Sequence, residues 1–174
     1  GDEFGNSDFL IVTYSPFNEL FSSESLSELK SLEDELSNLN GVNNVFSLLD
    51  APIFFQPKVP LTDVADNLKD LESPNIDLGL AKEEFLSNPI YKELILSSDG
   101  KTTALQIVIN PNAKKNTLIN DRYAALDSMN RDDEYIDLLN KEISLLNELE
   151  TKEQTVLVSN IRNILETYRG EADL

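Results

Sequence analysis

The stretch of sequence that most constrains the fold is a long apolar run near the middle of the chain. Residues Thr102–Asn110 are mostly β-branched or aliphatic, and they follow a Ser-Ser-Asp-Gly turn in which Gly100 can take the positive φ that a tight turn needs. We therefore predict a strand here. Leu105, Ile107 and Ile109 would share one face, and smaller, mostly apolar residues would share the other. We expect a central strand with both faces covered, the odd-numbered face more deeply.

A strand, a helix and a second strand are predicted before this central strand. Residues 8 to 15 form an apolar run that stops at Pro16, which is typical of a strand. A helix should begin at Ser22 or Ser23 and end at Asn40-Gly41, because leucine recurs there every three or four residues. Residues 42 to 49 follow as the second strand. A right-handed crossover would lay these two strands parallel to each other.

The segment from residue 51 to residue 92 is irregular and rich in proline. We predict two short helices in it, at about residues 61 to 71 and 80 to 86. The apolar triplet Ile53, Phe54 and Phe55 lies between prolines and has two interpretations: it fills part of the core, or it forms an exposed contact for a substrate or partner. These three residues are the candidate substrate- or partner-facing residues.

Most of the C-terminal third is predicted to be helical, because no glycine or proline occurs between Asn112 and Arg169. Two apolar stripes have helical spacing. The first consists of Leu138, Leu139, Ile143, Leu146 and Leu149, and the second of Leu157, Ile161, Ile164, Leu165 and Tyr168. Such stripes pack into a core or form the seam of a coiled coil with a partner, and the sequence leaves both interpretations open.

Composition excludes several classes of function. The 174 residues include 32 acidic and 14 basic side chains, so the formal charge is −18, which repels nucleic acid and anionic lipid headgroups. The absence of cysteine and histidine excludes the usual hydrolytic triads and most zinc sites. Asp132, Asp133, Glu134 and Asp137 could bind a hard cation, but no Asp-x-Asp-x-Asp-Gly loop frames them, and a solvated acidic helix start explains them better. We therefore predict no catalytic residue, no metal site, no cofactor and no enzyme activity.

Five segments resemble a known family in their order along the chain. Residues 4 to 12 (Phe-Gly-Asn-Ser-Asp-Phe-Leu-Ile-Val) and 41 to 48 (Gly-Val-Asn-Asn-Val-Phe-Ser-Leu) are similar to the start of the first large extracytoplasmic loop of resistance-nodulation-division (RND) exporters. Asn-Pro-Ile-Tyr at 88 to 91, Leu-Ser-Ser-Asp-Gly-Lys-Thr-Thr at 96 to 103, and Ile-Arg-Asn-Ile-Leu at 161 to 165 continue the likeness. The exporters concerned are similar to the large lipid transporters of the mycobacterial type.

This resemblance implies a single porter-like domain over residues 1–174, with an α+β, ferredoxin-like split β-α-β fold arranged as a two-layer sandwich. Residues 51–92 would be an irregular insert and residues 112–150 a helical insertion. The last strand of that fold, expected after Gly170, would be missing because the sequence stops at Leu174.

The resemblance also implies a function, location and partners. The chain would handle substrate without catalysis on the extracytoplasmic (periplasmic) side of the bacterial inner membrane, between two transmembrane helices of an exporter. Its partners would be the other porter subdomain of the same transporter, a lipid or other hydrophobic substrate, and, for the full-length protein, further copies in a homo-oligomer. The alternative is a free-standing acidic protein–protein interaction module that docks through its helical stripes.

Overall fold

The computed structural model describes residues 8–53, 69–89, 91 and 95–174. Within these residues, four strands and four α-helices form a mixed α+β fold around one antiparallel sheet. The strands are β1 (Phe9–Pro16), β2 (Val42–Phe46), β3 (Thr103–Ile109) and β4 (Ala172–Asp173). The helices are α1 (Ser23–Ser37), α2 (Leu78–Ser87), α3 (Ala113–Asp127) and α4 (Asp133–Glu166), and a 3₁₀ turn spans Leu48–Asp50.

The sheet has the strand order β2-β3-β1-β4, and every neighbouring pair is antiparallel. Strand β3 lies between β1 and β2, so the prediction of a central strand is confirmed. Its Leu105 pairs with Val12 of β1, and its Ile107 pairs with Leu10 on one side and Val45 on the other. Because both β1 and β2 are antiparallel to β3, they run parallel to each other, as the crossover predicted.

A short fourth strand is present, and the expectation that the sheet lacks its last strand is wrong. After α4 the chain turns back through Tyr168, whose carbonyl accepts a hydrogen bond from the N–H of Ala172 at 3.1 Å. Ala172 and Asp173 then pair with Pro16 and Ser15 at the end of β1. Because the turn comes directly after α4, the last residues of the chain lie close enough to the sheet to pair with β1. Only the C-terminal end of β1 gains a neighbour in this way.

One face of the sheet carries the hydrophobic core. Leu105 and Ile107 have no exposed surface, and the side chains of Val12 and Tyr14 lie beside them on β1. Helix α1 and the second half of α4 pack over this face, so the leucines of α1 and three residues of α4 join one buried cluster. The members contributed by the helices are Leu26, Leu29, Leu32, Leu36, Leu157, Ile161 and Leu165.

The opposite face of the sheet is only partly covered by the described residues. Phe9 and Ile11 are exposed to 48% and 53%, and Gln106 and Val108, which pair with them on β3, are half-buried. The prediction that both faces of β3 are covered therefore holds fully only for the odd-numbered face. The physical reason is that α1 and α4 form one layer, and one layer covers one face of a sheet.

Local signals fixed several turns and helix ends. Ser22 caps α1, since its hydroxyl accepts a hydrogen bond from the N–H of Ser25 at 3.2 Å. Gly100 has a φ of +71° in the turn before β3, as the sequence predicted. Gly41 has a φ of +91°, but α1 ends earlier, at the C-cap residue Asn38.

The irregular segment follows the sequence prediction in part. The helix predicted at about residues 80 to 86 is α2. The helix predicted at about residues 61 to 71 lies mostly outside the described residues, and at its end Lys69 forms a β-bridge with Ile53 instead of a helical turn.

Helix α4 has two different environments along its 34 residues, a length of about 51 Å. Its first half forms an antiparallel hairpin with α3, and its second half lies on the sheet. The boundary predicted at residue 150 falls inside this helix, so the helical insertion and the sheet share one continuous element. The first predicted stripe also divides: Leu139 and Ile143 are buried, whereas Leu138 and Leu149 are exposed to 59% and 51%.

Candidate functional site

A cleft of about 790 Å³ lies where the end of the sheet meets the helical hairpin. Its floor is the loop that joins β3 to α3. Asn110 in this loop donates its N–H to the carbonyl of Gly41 at 2.9 Å, and the side-chain oxygen of Asn112 accepts the N–H of Lys115 at 3.0 Å. The first bond attaches the loop to the start of β2, and the second caps α3, so both sides of the cleft are held in place.

An ion pair joins the two helices inside this cleft. The Lys115 ammonium lies 3.3 Å from the Glu150 carboxylate, and the two side chains are only 9% and 17% exposed. Because both charges are largely removed from water, separating them would leave an uncompensated charge. The pair therefore fixes the position of α3 against the middle of α4.

The lining of the cleft is chemically mixed. It combines side-chain amides with aliphatic groups, and the Glu150 carboxylate, which is 17% exposed, is paired with Lys115. The amides are those of Asn40, Asn110, Asn112, Asn116, Gln154 and Asn160, and the aliphatic residues are Ile109, Leu146, Leu149, Val156 and Leu157. Lys114, Lys152 and Glu153 line the cleft as well, so its surface combines apolar, amide and charged groups and fits a ligand with an apolar body and a polar end.

The partly covered face of the sheet is the second candidate surface. Phe9 and Ile11 on β1 alternate with buried residues and point away from the core. Val108 and Gln106 pair with them on β3, so these four side chains share this face. Three of the four are apolar, which makes an apolar strip across two strands. We call these four residues the open sheet face.

The candidate triplet predicted from the sequence is described at one position only. Ile53 is 1% exposed, belongs to the main core cluster, and bridges to Lys69. Its side chain therefore fills the core, which was the first of the two interpretations. Phe54 and Phe55 lie outside the described residues, so their part of the prediction is untested.

Glu33 on α1 forms a carboxyl pair with Asp50, in which Glu33 is buried and Asp50 is exposed. Burial, together with the neighbouring carboxyl of Asp50, raises the pKa of Glu33 from its ordinary value of 4.5 to about 8. Asp50 is fixed by Ser47, whose N–H donates to the Asp50 carboxylate at 2.9 Å. Glu33 is 5% exposed, and its Oε1 has no hydrogen-bond partner among the described residues. Neither residue lines the cleft described above, and the raised pKa of Glu33 makes the stability of the fold depend on pH.

A second group of acidic side chains surrounds Tyr14. The Tyr14 hydroxyl donates to a carboxylate oxygen of Glu28 at 2.7 Å, and burial together with this neighbour raises the tyrosine pKa. Burial and the nearby Glu171 raise the pKa of Glu28 as well. These contacts link β1, α1 and the approach to β4, and they have no solvent-facing nucleophile.

The acidic run at the start of α4 acts as a helix cap in the structure. The Asp132 carboxylate accepts hydrogen bonds from the N–H groups of Glu134 and Tyr135 at 3.1 and 3.3 Å. In the described part of the chain, no group of three or more acidic side chains is placed to hold a metal ion. No helix among the same residues is long and apolar enough to cross a membrane.

Sequence reasoning did not find the cleft or the open sheet face. The cleft joins residues far apart in sequence, such as Lys115 and Glu150, and no local pattern links them. The open sheet face had a signal, since Phe9 and Ile11 alternate with core residues, but alternation alone does not tell which face is covered. No protein-family model matches this chain, and comparisons with curated proteins and with solved structures also give no match.

Proposed function

We propose that this chain is a non-enzymatic, extracytoplasmic substrate-handling domain of an RND-type membrane exporter, in a ferredoxin-like fold. The observation that carries this proposal is the strand order β2-β3-β1-β4, with all neighbours antiparallel and with α1 and α4 on one face. It agrees with the β-α-β-β-α-β order that the sequence resemblance implies, if α3 and the first half of α4 are an insertion before the second crossover helix. The strand order supports the ferredoxin-like part of the proposal, and the order of the similar segments in the sequence supports the exporter part.

The open sheet face supports a substrate- or subdomain-contacting role. Phe9 and Ile11 form an apolar strip, and about half of each side chain remains exposed among the described residues. An apolar strip of this kind is favourable for packing against another porter subdomain or against the hydrocarbon part of a lipid. Rigid-body movement of two such subdomains would open and close the space between them. The chain itself would contribute surface and shape, not chemistry.

The alternative is a free-standing acidic interaction module. It is favoured by one observation: four large aliphatic residues on one side of α4 are more than half exposed. Both functions are non-enzymatic, but they require different protein segments to be encoded before and after this chain.

The reading frame around this sequence separates the two functions. The exporter domain requires an apolar segment of about 20 residues on each side of residues 1–174, long enough to span a bilayer. The interaction module requires neither. Finding no such segment on either side would refute the exporter assignment.

A binding experiment tests the role of the open sheet face itself. An isotope-labelled chain is titrated with a single-tailed acyl lipid that has an uncharged headgroup, below its micelle concentration. We expect amide shifts in β1 and β3 around Ile11 and Val108, and we expect Ile11→Ser to weaken binding about tenfold, since it removes an apolar contact. The matched control is Leu80→Ser, because Leu80 is an equally exposed aliphatic residue on α2. Shifts confined to the hairpin, or equal effects of the two variants, would contradict a lipid contact at this face.

A further inference from the structure

Helix α4 contains an 11-residue repeat. Residues 138 to 148 read Leu-Leu-Asn-Lys-Glu-Ile-Ser-Leu-Leu-Asn-Glu, and residues 149 to 159 read Leu-Glu-Thr-Lys-Glu-Gln-Thr-Val-Leu-Val-Ser. Leucine occupies the first position both times, leucine or valine the eighth, and the Lys-Glu pair recurs unchanged. Eleven residues make three helical turns at about 3.67 residues per turn, which is close to the α-helical value. Equivalent positions of the two repeats therefore fall on nearly the same line along the helix.

The repeated aliphatic residues form a straight exposed line. Leu138, Leu145, Leu149 and Val156 are exposed to 59%, 64%, 51% and 60%. With about 100° between successive residues, the four lie within about 40° of one another, over a length of about 27 Å. We call these four residues the exposed stripe.

The hairpin leaves the exposed stripe uncovered because α3 packs on a different side of α4. The side facing α3 carries the buried residues Leu139 and Ile143, and the Lys115–Glu150 ion pair lies on that side too. This buried side is about 120° around the helix from the exposed stripe. Leu149 and Val156 also line the cleft, so the second half of the stripe follows the edge of the cleft, while Leu138 and Leu145 lie beyond it.

We propose that the exposed stripe docks against the same stripe of a second copy of this chain, with the two α4 helices parallel. Like residues would meet across a two-fold axis that runs along the pair of helices. Both sheets would then lie at the same end of the dimer, and both hairpin tips at the other. The inference holds whether or not the chain belongs to an exporter.

The charges beside the stripe select the second copy and its direction. Lys141 and Lys152 lie on one flank of the stripe, and Glu142 and Glu153 lie on the other. In a parallel pair, each lysine flank meets the glutamate flank of the other copy at the same height, so Lys141 lies beside Glu142 and Lys152 beside Glu153. In an antiparallel pair, Lys141 would instead lie beside Lys152, and Glu142 beside Glu153. The parallel arrangement is therefore attractive on both flanks and the antiparallel one is repulsive on both.

These four charged residues are available for such contacts. All four are exposed, and no ion pair is formed by any of them within residues 95–174 or the other described parts of the chain. The net charge of −18 on each copy opposes association at low ionic strength. At physiological ionic strength the Debye length of about 8 Å screens distant charges, while groups in contact still attract.

Analytical ultracentrifugation of the full 174-residue chain tests association through the stripe. At about 0.15 M salt, over about 1 µM to about 1 mM protein, we expect a reversible monomer–dimer equilibrium. The double variant Leu145→Ser/Leu149→Ser should raise the dissociation constant at least tenfold. Tyr123→Ser is the matched control, because Tyr123 is 63% exposed on α3 and lies off the stripe. A chain that stays monomeric throughout, or a dimer equally sensitive to both variants, would overturn the proposal.

The absence of cysteine from the sequence allows a direct test of direction. A parallel dimer brings the two copies of position 138 together, so Leu138→Cys alone should oxidise to a covalent dimer, and Val156→Cys alone should do the same. An antiparallel dimer would instead place position 138 opposite position 156, and only a mixture of the two variants would cross-link. Cross-linking confined to that mixture would refute the parallel arrangement. Circular dichroism of each variant verifies that the helices are intact.

Discussion

Replacing Leu105 by alanine is the most direct test of which face of the sheet is the core. Leu105 has no exposed surface and lies on the central strand beside Val12. The substitution removes three carbon atoms, and burial of about 0.8 kcal/mol for each gives a loss of about 2.4 kcal/mol. The cavity adds to this loss because strands on both sides hold β3 in place and prevent collapse. We expect a decrease in unfolding free energy of about 2 to 5 kcal/mol.

Urea unfolding followed by circular dichroism measures this decrease, with an unchanged m-value as evidence that the native state is intact. Val108→Ala is the matched control, because Val108 lies on the same strand, points to the partly covered face, and is half-buried. It should cost about 1 kcal/mol or less. A loss below about 0.5 kcal/mol for Leu105→Ala is the usual size of a surface effect, and it would mean that Leu105 is on the exposed face of β3 and not on the buried one.

Three further predictions concern the carboxyl pair, one turn and the cleft. The pKa of Glu33 is raised in the folded state to about 8 from 4.5, so its contribution to stability is fully present below about pH 4.5 and is lost as the pH rises toward 8. Glu33→Gln should therefore match the wild type near pH 4 and be more stable at pH 8, and parallel stability-versus-pH curves for the two proteins would contradict this. Gly100→Ala should lower the unfolding free energy by about 1 to 3 kcal/mol, because the φ of residue 100 is +71° and the added Cβ would lie 2.8 Å from the Cε of Lys82. An unchanged melting temperature would contradict this prediction. Lys115→Ala should lower the unfolding free energy by about 3 kcal/mol, because it leaves the Glu150 carboxylate unpaired. The double variant Lys115→Met/Glu150→Leu should recover most of this loss, and unfolding curves of the two variants measure the difference.

Several elements of this protein follow from the sequence alone because their causes are local. The alternation of side chains in β3 and β1, and the repetition of leucine in α1, predicted those elements to within a few residues. The turn at Gly100 followed from a residue type that tolerates positive φ. Each of these signals lies within one turn or one strand, where backbone geometry and side-chain period are fixed by neighbours in the sequence.

Tertiary structure decided which side of each helix or strand is buried. Leu138 and Leu139 are adjacent leucines in one helical pattern, yet the first is 59% exposed and the second 5%. A period shows which residues share a side of a helix, but the position of α3 determines which side becomes buried. The same holds for Phe9 and Ile11, which alternate with core residues on a strand whose outer face has only partial cover.

Contacts between distant residues were likewise beyond the sequence. Strand β4 has only two residues, too few for any period, and it exists because the turn after α4 brings Ala172 to Pro16. Glu33 lies among the polar residues between the leucines of α1, and its raised pKa comes from burial and from Asp50, seventeen positions away. The cleft depends on Lys115 meeting Glu150 across two helices. In each case the free energy comes from a partner that is close in space and far in sequence, so only the tertiary structure decides it.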